Sequence, residues 1–186
     1  MQDSDIREVL HSYLDKENKK YTDTIIVDEL DLCSGLSRID VAVINGFIHG
    51  YEIKSEEDNL NRLPNQIKYY NKSLEKVSVA LNPIHLDKVL ADIPDWWGVL
   101  IVNNNNKKGK LKEFRKAAQN PQVESQSILQ LLWKEELISI INKYNLISKK
   151  NSNKNMLREN ISQSLDIAIV SHEVRESLKS RKNWRS

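Results

Sequence analysis

Cysteine is nearly absent from the chain: Cys33 is the single thiol in 186 residues. One thiol excludes an intrachain disulfide framework and a cysteine-built zinc site. The five glycines form no loop of the kind that cradles phosphates, which excludes a P-loop nucleotide site. Histidine is sparse as well, and His11, His49, His85 and His172 do not follow metal-ligand spacing. No apolar run approaches the roughly 18 residues that a membrane-spanning helix requires. The opening Met1-Gln2-Asp3-Ser4-Asp5 lacks the basic and apolar stretches of a secretory signal. The expectation is a soluble, cytoplasmic protein.

Charge of one sign is lacking only in total. Lys+Arg number 28 and Asp+Glu 26, giving a net of +2. By segment the balance is uneven. Residues 107–116 carry six basic side chains and one acid, and from Lys143 onward there are ten basic residues and four acidic. Much of the compensating acid lies between Asp15 and Asp58. Basic segments beside an acidic centre suit a phosphate-binding protein with a metal site, although charge runs are also commonly solvated faces.

Hydrophobic periodicity gives the order of elements. Ile6, Val9, Leu10, Tyr13 and Leu14 recur at helical spacing, with Ser4 or Asp5 available as a cap. Thr24–Val27 reads as a strand running into Asp28-Glu29-Leu30-Asp31, and Cys33-Ser34-Gly35 as a loop. Arg38–Ile44 and Phe47–Lys54 flank Asn45-Gly46, a strong hairpin signal. A helix is expected over Asp58–Tyr70, with Ser55–Asp58 at its start, and a strand over Lys76–Leu81. A short helix at His85–Ala91, a strand at Gly98–Val102, and helices over about 125–144 and 154–182 complete the chain. The fold class is therefore α/β with a mixed central sheet. Residues 1–120 form the expected core, and 121–186 a helical extension packed on it rather than folding alone.

Asp40, Glu52 and Lys54 interrupt otherwise apolar strands. Glu52 and Lys54 point the same way, roughly 6.6 Å apart along the strand. Such charges are costly against a core unless paired or bound to metal. Two carboxylates suit Mg²⁺ bound together with substrate phosphate oxygens, and a nearby ammonium can orient water or stabilise developing charge. Register tests the idea. A two-residue Asn45-Gly46 loop pairs Asp40 with Tyr51 and puts the carboxylates on opposite faces. A three-residue loop, Ile44-Asn45-Gly46 with Gly46 left-handed, pairs Asp40 with Gly50, puts Asp40 and Glu52 on one face, and lets Gly50 leave room for an ion. The odd-length loop is the expectation.

Asp40 followed by Glu52-Ile53-Lys54 resembles the D…ExK signature of the PD-(D/E)XK nuclease superfamily. The expected helix, three-strand meander, helix and strand resemble its restriction-endonuclease-like αβββαβ core over roughly residues 5–103. Position 39 is Ile where the family name has Pro. Gln66-Ile67-Lys68-Tyr69-Tyr70 is similar to the QxxxY element of some branches. The strings around Glu29, Arg38–Ala42, Tyr51–Lys54 and Arg62–Gln66 look like a bacterial sce-type (seven-seven-two-six) branch. Leu132–Leu137 and Arg181–Trp184 look like that branch too. The resemblance implies a metal-dependent deoxyribonuclease with Mg²⁺, for which Mn²⁺ can substitute. It implies Glu29, Asp40 and Glu52 as metal ligands, Lys54 on the attacking water, and Gln66 on the scissile phosphate or metal-bound water with Tyr70 supporting it.

Arg38, Arg62, Tyr70, Lys107, Lys108 and Lys110 are candidates for contact with DNA. Two other readings stand beside the enzyme: a catalytically silent DNA- or protein-binding module, and an interaction protein. In the latter, the apolar helices from Ile128 to Tyr144 would meet a second copy or a partner. His49 is expected on the face away from Glu52, packed or at the surface, and Trp96-Trp97 beneath the following strand.

Overall fold

The computed structural model describes residues 1–103, 109–149, 151–182 and 184. Helix α1 (Asp3–Asn18) leads into strands β1 (Ile25–Leu32), β2 (Ser37–Ile44) and β3 (Ile48–Lys54). Helix α2 (Leu63–Ser73), strand β4 (Lys76–Leu81), helix α3 (Leu86–Asp92) and strand β5 (Gly98–Asn103) follow. Strand β6 (Lys110–Arg115) then precedes helices α4 (Ser125–Ile128), α5 (Lys134–Lys143), α6 (Lys154–Ser164) and α7 (Ile167–Ser180). The architecture is α/β, with one six-stranded sheet in the order β1-β2-β3-β4-β5-β6. Strands β3, β4 and β5 run parallel, and the remaining neighbours are antiparallel.

Two apolar layers cover the sheet. On one face, Ile6, Leu10 and Leu14 of α1 pack on Val41, Val43, Tyr51, Ile53, Ala80 and Leu100. The i, i+4, i+8 spacing of those helix residues makes one stripe of α1 apolar. On the other face, Ala42, Ile44, Ile48, Val77, Val79 and Val99 meet Leu63, Tyr70 and Leu74 from α2. The same cluster continues into Ile128, Leu132, Leu137, Ile141, Leu157, Val170, Val174 and Leu178. The helical extension therefore shares its core with the sheet. The apolar side of the segment from Ile128 is spent inside the chain, although Ile138 remains exposed.

Polar ties fix that extension. Glu75, 5% exposed, accepts hydrogen bonds from the Ile48 amide and from Arg175 of α7. Asn120 donates to the carbonyls of Asn71 and Leu74. The Arg181 guanidinium lies 4.2 Å from the Trp133 ring centre and 4.8 Å from that of Trp184, and it donates to both Glu136 oxygens. A forked, stacked arginine of this kind is among the stronger polar contacts. It ties the C-terminal end of the extension to the start of α5.

Several boundaries differ from the sequence expectation for local reasons. Gln2, not Ser4 or Asp5, precedes α1, and Asp5 accepts from the Gln2 amide. The acidic stretch after Val27 is part of β1. Asp58 accepts from the Ser55 amide and hydroxyl, so Ser55–Asp58 closes its own turn and α2 starts later, with Pro64 in its first turn. No strand is expected in the basic segment 107–116, but Lys110–Arg115 forms edge strand β6. Lys107 and Lys108 lie outside the described residues. The expected helix over 125–144 breaks at Leu129–Leu131 into a 3-10 turn, and the last helix is divided at Leu165 and Asp166.

The hairpin has the odd loop length expected, but in another frame. Ile44 pairs with Ile48, so the loop is Asn45-Gly46-Phe47. Asn45 accepts from the Phe47 amide through its side chain, and Gly46 is not left-handed. Gly50 makes room for apolar packing: a Cβ there would stand 2.5 Å from Leu74 Cδ1 and 3.0 Å from Ile39 Cγ1, both fully buried side chains. Gly50→Ala is expected to lower stability by about 1–3 kcal/mol through overpacking. Urea unfolding of the purified protein checks this, and an unchanged midpoint would refute it.

Candidate functional site

The site begins with an irregularity shared by β1 and β2. Ala42 and Ile44 belong to the α2-side core, and Val41 and Val43 to the α1 side. Strict alternation would send Ile39 toward α1, yet it belongs with α2, as do Leu30 and Leu32. The slip falls at Glu29 and Asp40, the one position skipped between otherwise continuous β1–β2 pairs. Glu29 has φ 55°, in the left-handed region that costs a non-glycine residue roughly 1 kcal/mol or more.

Freed from the ladder, Asp40 turns its carboxylate toward β3, where Oδ2 accepts from the Ile53 amide at 2.7 Å. The β2–β3 pairing stops one residue short, at Val41 and Tyr51. Asp40 and Glu52 then line one cleft of about 380 Å³, together with Lys54, Gln66, Arg7, Glu29, Arg38 and Arg62. The two carboxylates are thus on a shared cleft, as the odd loop requires.

Glu52 and Lys54 are 2% and 3% exposed. Lys54 Nζ donates to Glu52 Oε1 at 2.7 Å and to Gln66 Oε1 at 3.1 Å. The Gln66 amide also donates to Glu52 Oε1. The Tyr70 hydroxyl lies 2.6 Å from Glu52 Oε2 and 2.7 Å from the Arg38 carbonyl. Helix α2 places Gln66 and Tyr70 four residues apart on one side, so both reach Glu52. Buried ionic groups need such complete satisfaction.

Burial, and then the charge of Glu52, push the Asp40 carboxyl up to about 7, against the opposing pull of the Ile53 amide and Arg7. Burial and the neighbouring Glu52 raise the Tyr70 phenol, keeping it a neutral donor.

The expected residues divide into three groups. Asp40, Glu52, Lys54 and Gln66 meet in the cleft. Tyr70, fully buried, braces Glu52 and cannot touch nucleic acid; the expected DNA contact at Tyr70 is replaced by this internal role. Glu29 stands at the rim, with one oxygen 2.8 Å from Arg7 and the other 2.7 Å from Arg38. Among the described residues no three His, Cys, Asp or Glu side chains are grouped to hold a metal ion. Arg38 and Arg62 border the cleft and are exposed. Lys110 opposes Asn103 at the far edge of the sheet. That is three strands from β3, or about 14 Å at ladder spacing. Cys33 is buried against the Ser73 hydroxyl, and Trp97 is buried with its indole N–H on Asn71.

Arg7 was not singled out by the sequence. It donates to the Asp40 carbonyl at 2.8 Å and to Glu29, and lies 3.7 Å from Asp40 Oδ1. Its one local signal is the i, i+4 pairing with Asp3 on α1, which does not distinguish a site residue from a surface ion pair.

The fold and cleft define an α/β protein with a mixed sheet and a buried acidic–basic cluster at the end of a central strand. The chain belongs to the bacteriophage P4 protein cII family, whose model matches residues 2–186. Protein cII of Enterobacteria phage P4 is 28% identical over 160 residues, covering 86% of this chain and 60% of that protein. The chain thus spans under two thirds of that relative's length. No solved structure matches. Among the described residues no helix is long and apolar enough to cross a membrane.

The raised Asp40 carboxyl has a consequence for stability. An acid whose folded value lies above its unfolded one near 3.9 binds more protons when folded, so stability falls as pH rises from about 4 to 7. Asp40→Asn, which keeps an acceptor for the Ile53 amide, should gain about 1–3 kcal/mol over the parent at pH 8 and nothing at pH 4. Denaturation at the two pH values measures the difference; equal gains at both would contradict the assignment.

Proposed function

We propose that the cleft hydrolyses DNA phosphodiesters with a divalent cation, Mg²⁺ or in its place Mn²⁺. The observation that carries this reading is the buried Glu52–Lys54–Gln66–Tyr70 cluster beside Asp40, whose carboxyl is raised by burial and then by the neighbouring Glu52. The order α1-β1-β2-β3-α2-β4 supports it, because it agrees with the restriction-endonuclease-like core to which Asp40 and Glu52-Ile53-Lys54 bear a resemblance.

The donor set fits a hard, largely hydrated ion. Asp40 and Glu52 would supply carboxylate oxygens, and such ions are commonly held by one or two carboxylates plus water and phosphate oxygens. Glu29 would join only after releasing Arg7 or Arg38. When bound, the cation neutralises charge on the phosphate and on the departing oxygen. Lys54 holds the attacking water by donating to it, and Gln66 orients that water or a phosphate oxygen. Water would add to phosphorus in line and lose a proton to solvent, the phosphorus–oxygen bond opposite would break, and the leaving oxygen would take a proton from solvent. By the same resemblance the products are a 5′-phosphate and a 3′-hydroxyl. Arg38, Arg62 and Lys110, exposed toward solvent, would contact the backbone, as expected for sequence-independent positioning.

A binding module on the same fold is the second reading, and Arg7 favours it. Its guanidinium already faces Asp40 and Glu29, where a cation would compete. Incubating labelled linear, circular and branched DNA with Mg²⁺ or Mn²⁺ separates the two. The wild type should cut, while Asp40→Ala and Lys54→Ala should lose about a hundredfold or more. Retained DNA binding without cleavage in all three proteins would establish the module, and equal cleavage by all three would remove these residues from the chemistry.

A further inference from the structure

The opposite face of the sheet holds a second cavity of about 350 Å³, walled by α1, the β2–β3 turn, the start of β4 and the end of β6. It shares no residue with the cleft that contains Asp40 and Glu52. Its volume lies within the range of small-molecule sites. The floor is a chain of hydrogen bonds: Ser78 Oγ is 2.9 Å from His49 Nε2, and the Tyr51 hydroxyl is 3.0 Å from His49 Nδ1. The His49 and Tyr51 rings stack at 4.2 Å. Burial, with Lys76 adding to it, pushes His49 down to about 3, so the imidazole is neutral at physiological pH.

A neutral imidazole has one N–H and one lone pair. If Nε2 carries the proton, it donates to Ser78 and accepts from Tyr51, which leaves the Ser78 hydroxyl hydrogen unspent. If Nδ1 carries it, it donates to Tyr51 and accepts from Ser78, which leaves the Tyr51 hydrogen unspent. Either way one O–H remains to be given to something in the cavity, from a side chain nine-tenths buried or more. Gly98 permits this floor, since a Cβ there would stand 2.3 Å from Ser78 Oγ.

The charged walls are segregated. Glu17 of α1 and Glu113 of β6 stand on the tyrosine side; after burial, their charges raise Tyr13, and with Tyr13 they raise Tyr51. Lys76 and Lys116 stand on the other side; after burial, Lys116 is the next cause that lowers Lys76. Lys76 Nζ lies 4.0 Å above the Phe47 ring. None of these four charges is in an ion pair among the described residues. Lys20 also lines the cavity, with its ammonium over the Tyr21 ring, and Glu75 is the acid that acts on Lys76.

We propose that this cavity binds a compact zwitterion of the amino-acid class, with its ammonium between Glu17 and Glu113. Its carboxylate lies between Lys76 and Lys116 and accepts the spare O–H of the Ser78–His49–Tyr51 chain. Its carbon frame rests on Tyr13, Tyr51 and Phe47. A ligand with one charge would pair with the acids or with the lysines and leave the other set without an ion pair, so a zwitterion suits the lining better than either. The site stands whether or not the opposite cleft is a nuclease.

Calorimetric titration of the full chain tests this with the common L-α-amino acids and ω-amino acids of three to six carbons. Alkylamines and alkanoates of matched length serve as single-charge controls. At least one zwitterion should bind with a dissociation constant below about 1 mM, at least about fivefold tighter than its controls. The double variant Glu17→Gln with Glu113→Gln, and separately Lys116→Met, should each weaken it by about fivefold or more. All three positions are exposed, so both variants should fold, and circular dichroism confirms that. Asp40→Asn should bind the zwitterion as the parent does. The proposal is overturned if no zwitterion binds at about 10 mM, if controls bind equally, if either folded variant loses less than fivefold, or if Asp40→Asn weakens binding as much as they do.

Discussion

The structure depends on keeping a buried carboxylate and a buried ammonium on the same side of one central strand. Glu52 and Lys54 stand where β3 would otherwise continue an apolar face, and nearly no water reaches them. Removing such a pair from water costs several kcal/mol per ion, which mutual attraction offsets only with good geometry and full hydrogen bonding. That requirement fixes α2, because Gln66 and Tyr70 provide the remaining donors. The apolar contacts around Gly50, Leu74 and Ile39 close the same helix onto the same strand, so core packing and polar satisfaction agree on one position.

The sheet separates two polar environments of opposite character. Toward α2 lies a cleft dominated by carboxylates and edged by arginines. Toward α1 lies a cavity whose floor is neutral and whose lining carries acids and lysines of both signs. Each is built on residues alternating along β3: Glu52 and Lys54 on one side, His49 and Tyr51 on the other. Two of the glycines that allow close approach, Gly50 and Gly98, support one environment each. Membership in the P4 protein cII family describes kinship, whereas the chemistry follows from these side chains.

Much of the order of elements was legible because periodicity reports directly on burial. The α1 stripe, the β2–β3 hairpin, β4 and β5 all follow from it. The odd hairpin loop was also legible, since only odd loops put Asp40 and Glu52 on one face. Its frame was not, because Asn45 closes the turn with its side chain and so removes the need for a left-handed Gly46. Strand β6 was hidden by its lysines, which are normal on an exposed edge and resemble a loop in composition. The start of α2 was missed because Asp58 bonds back to Ser55, a local competition between side chain and helix.

The sequence by itself determined that a carboxylate and an ammonium share one face of a strand, since a period of two admits no other arrangement. It also determined that Gln66 and Tyr70 share one side of a helix. Tertiary structure decided which groups those charges meet. The slip at Glu29 and Asp40, the arrival of Arg7 from α1 and the burial of Tyr70 join residues up to 32 or 33 positions apart. No local pattern encodes such pairings, because each depends on how two packed layers settle against a common sheet.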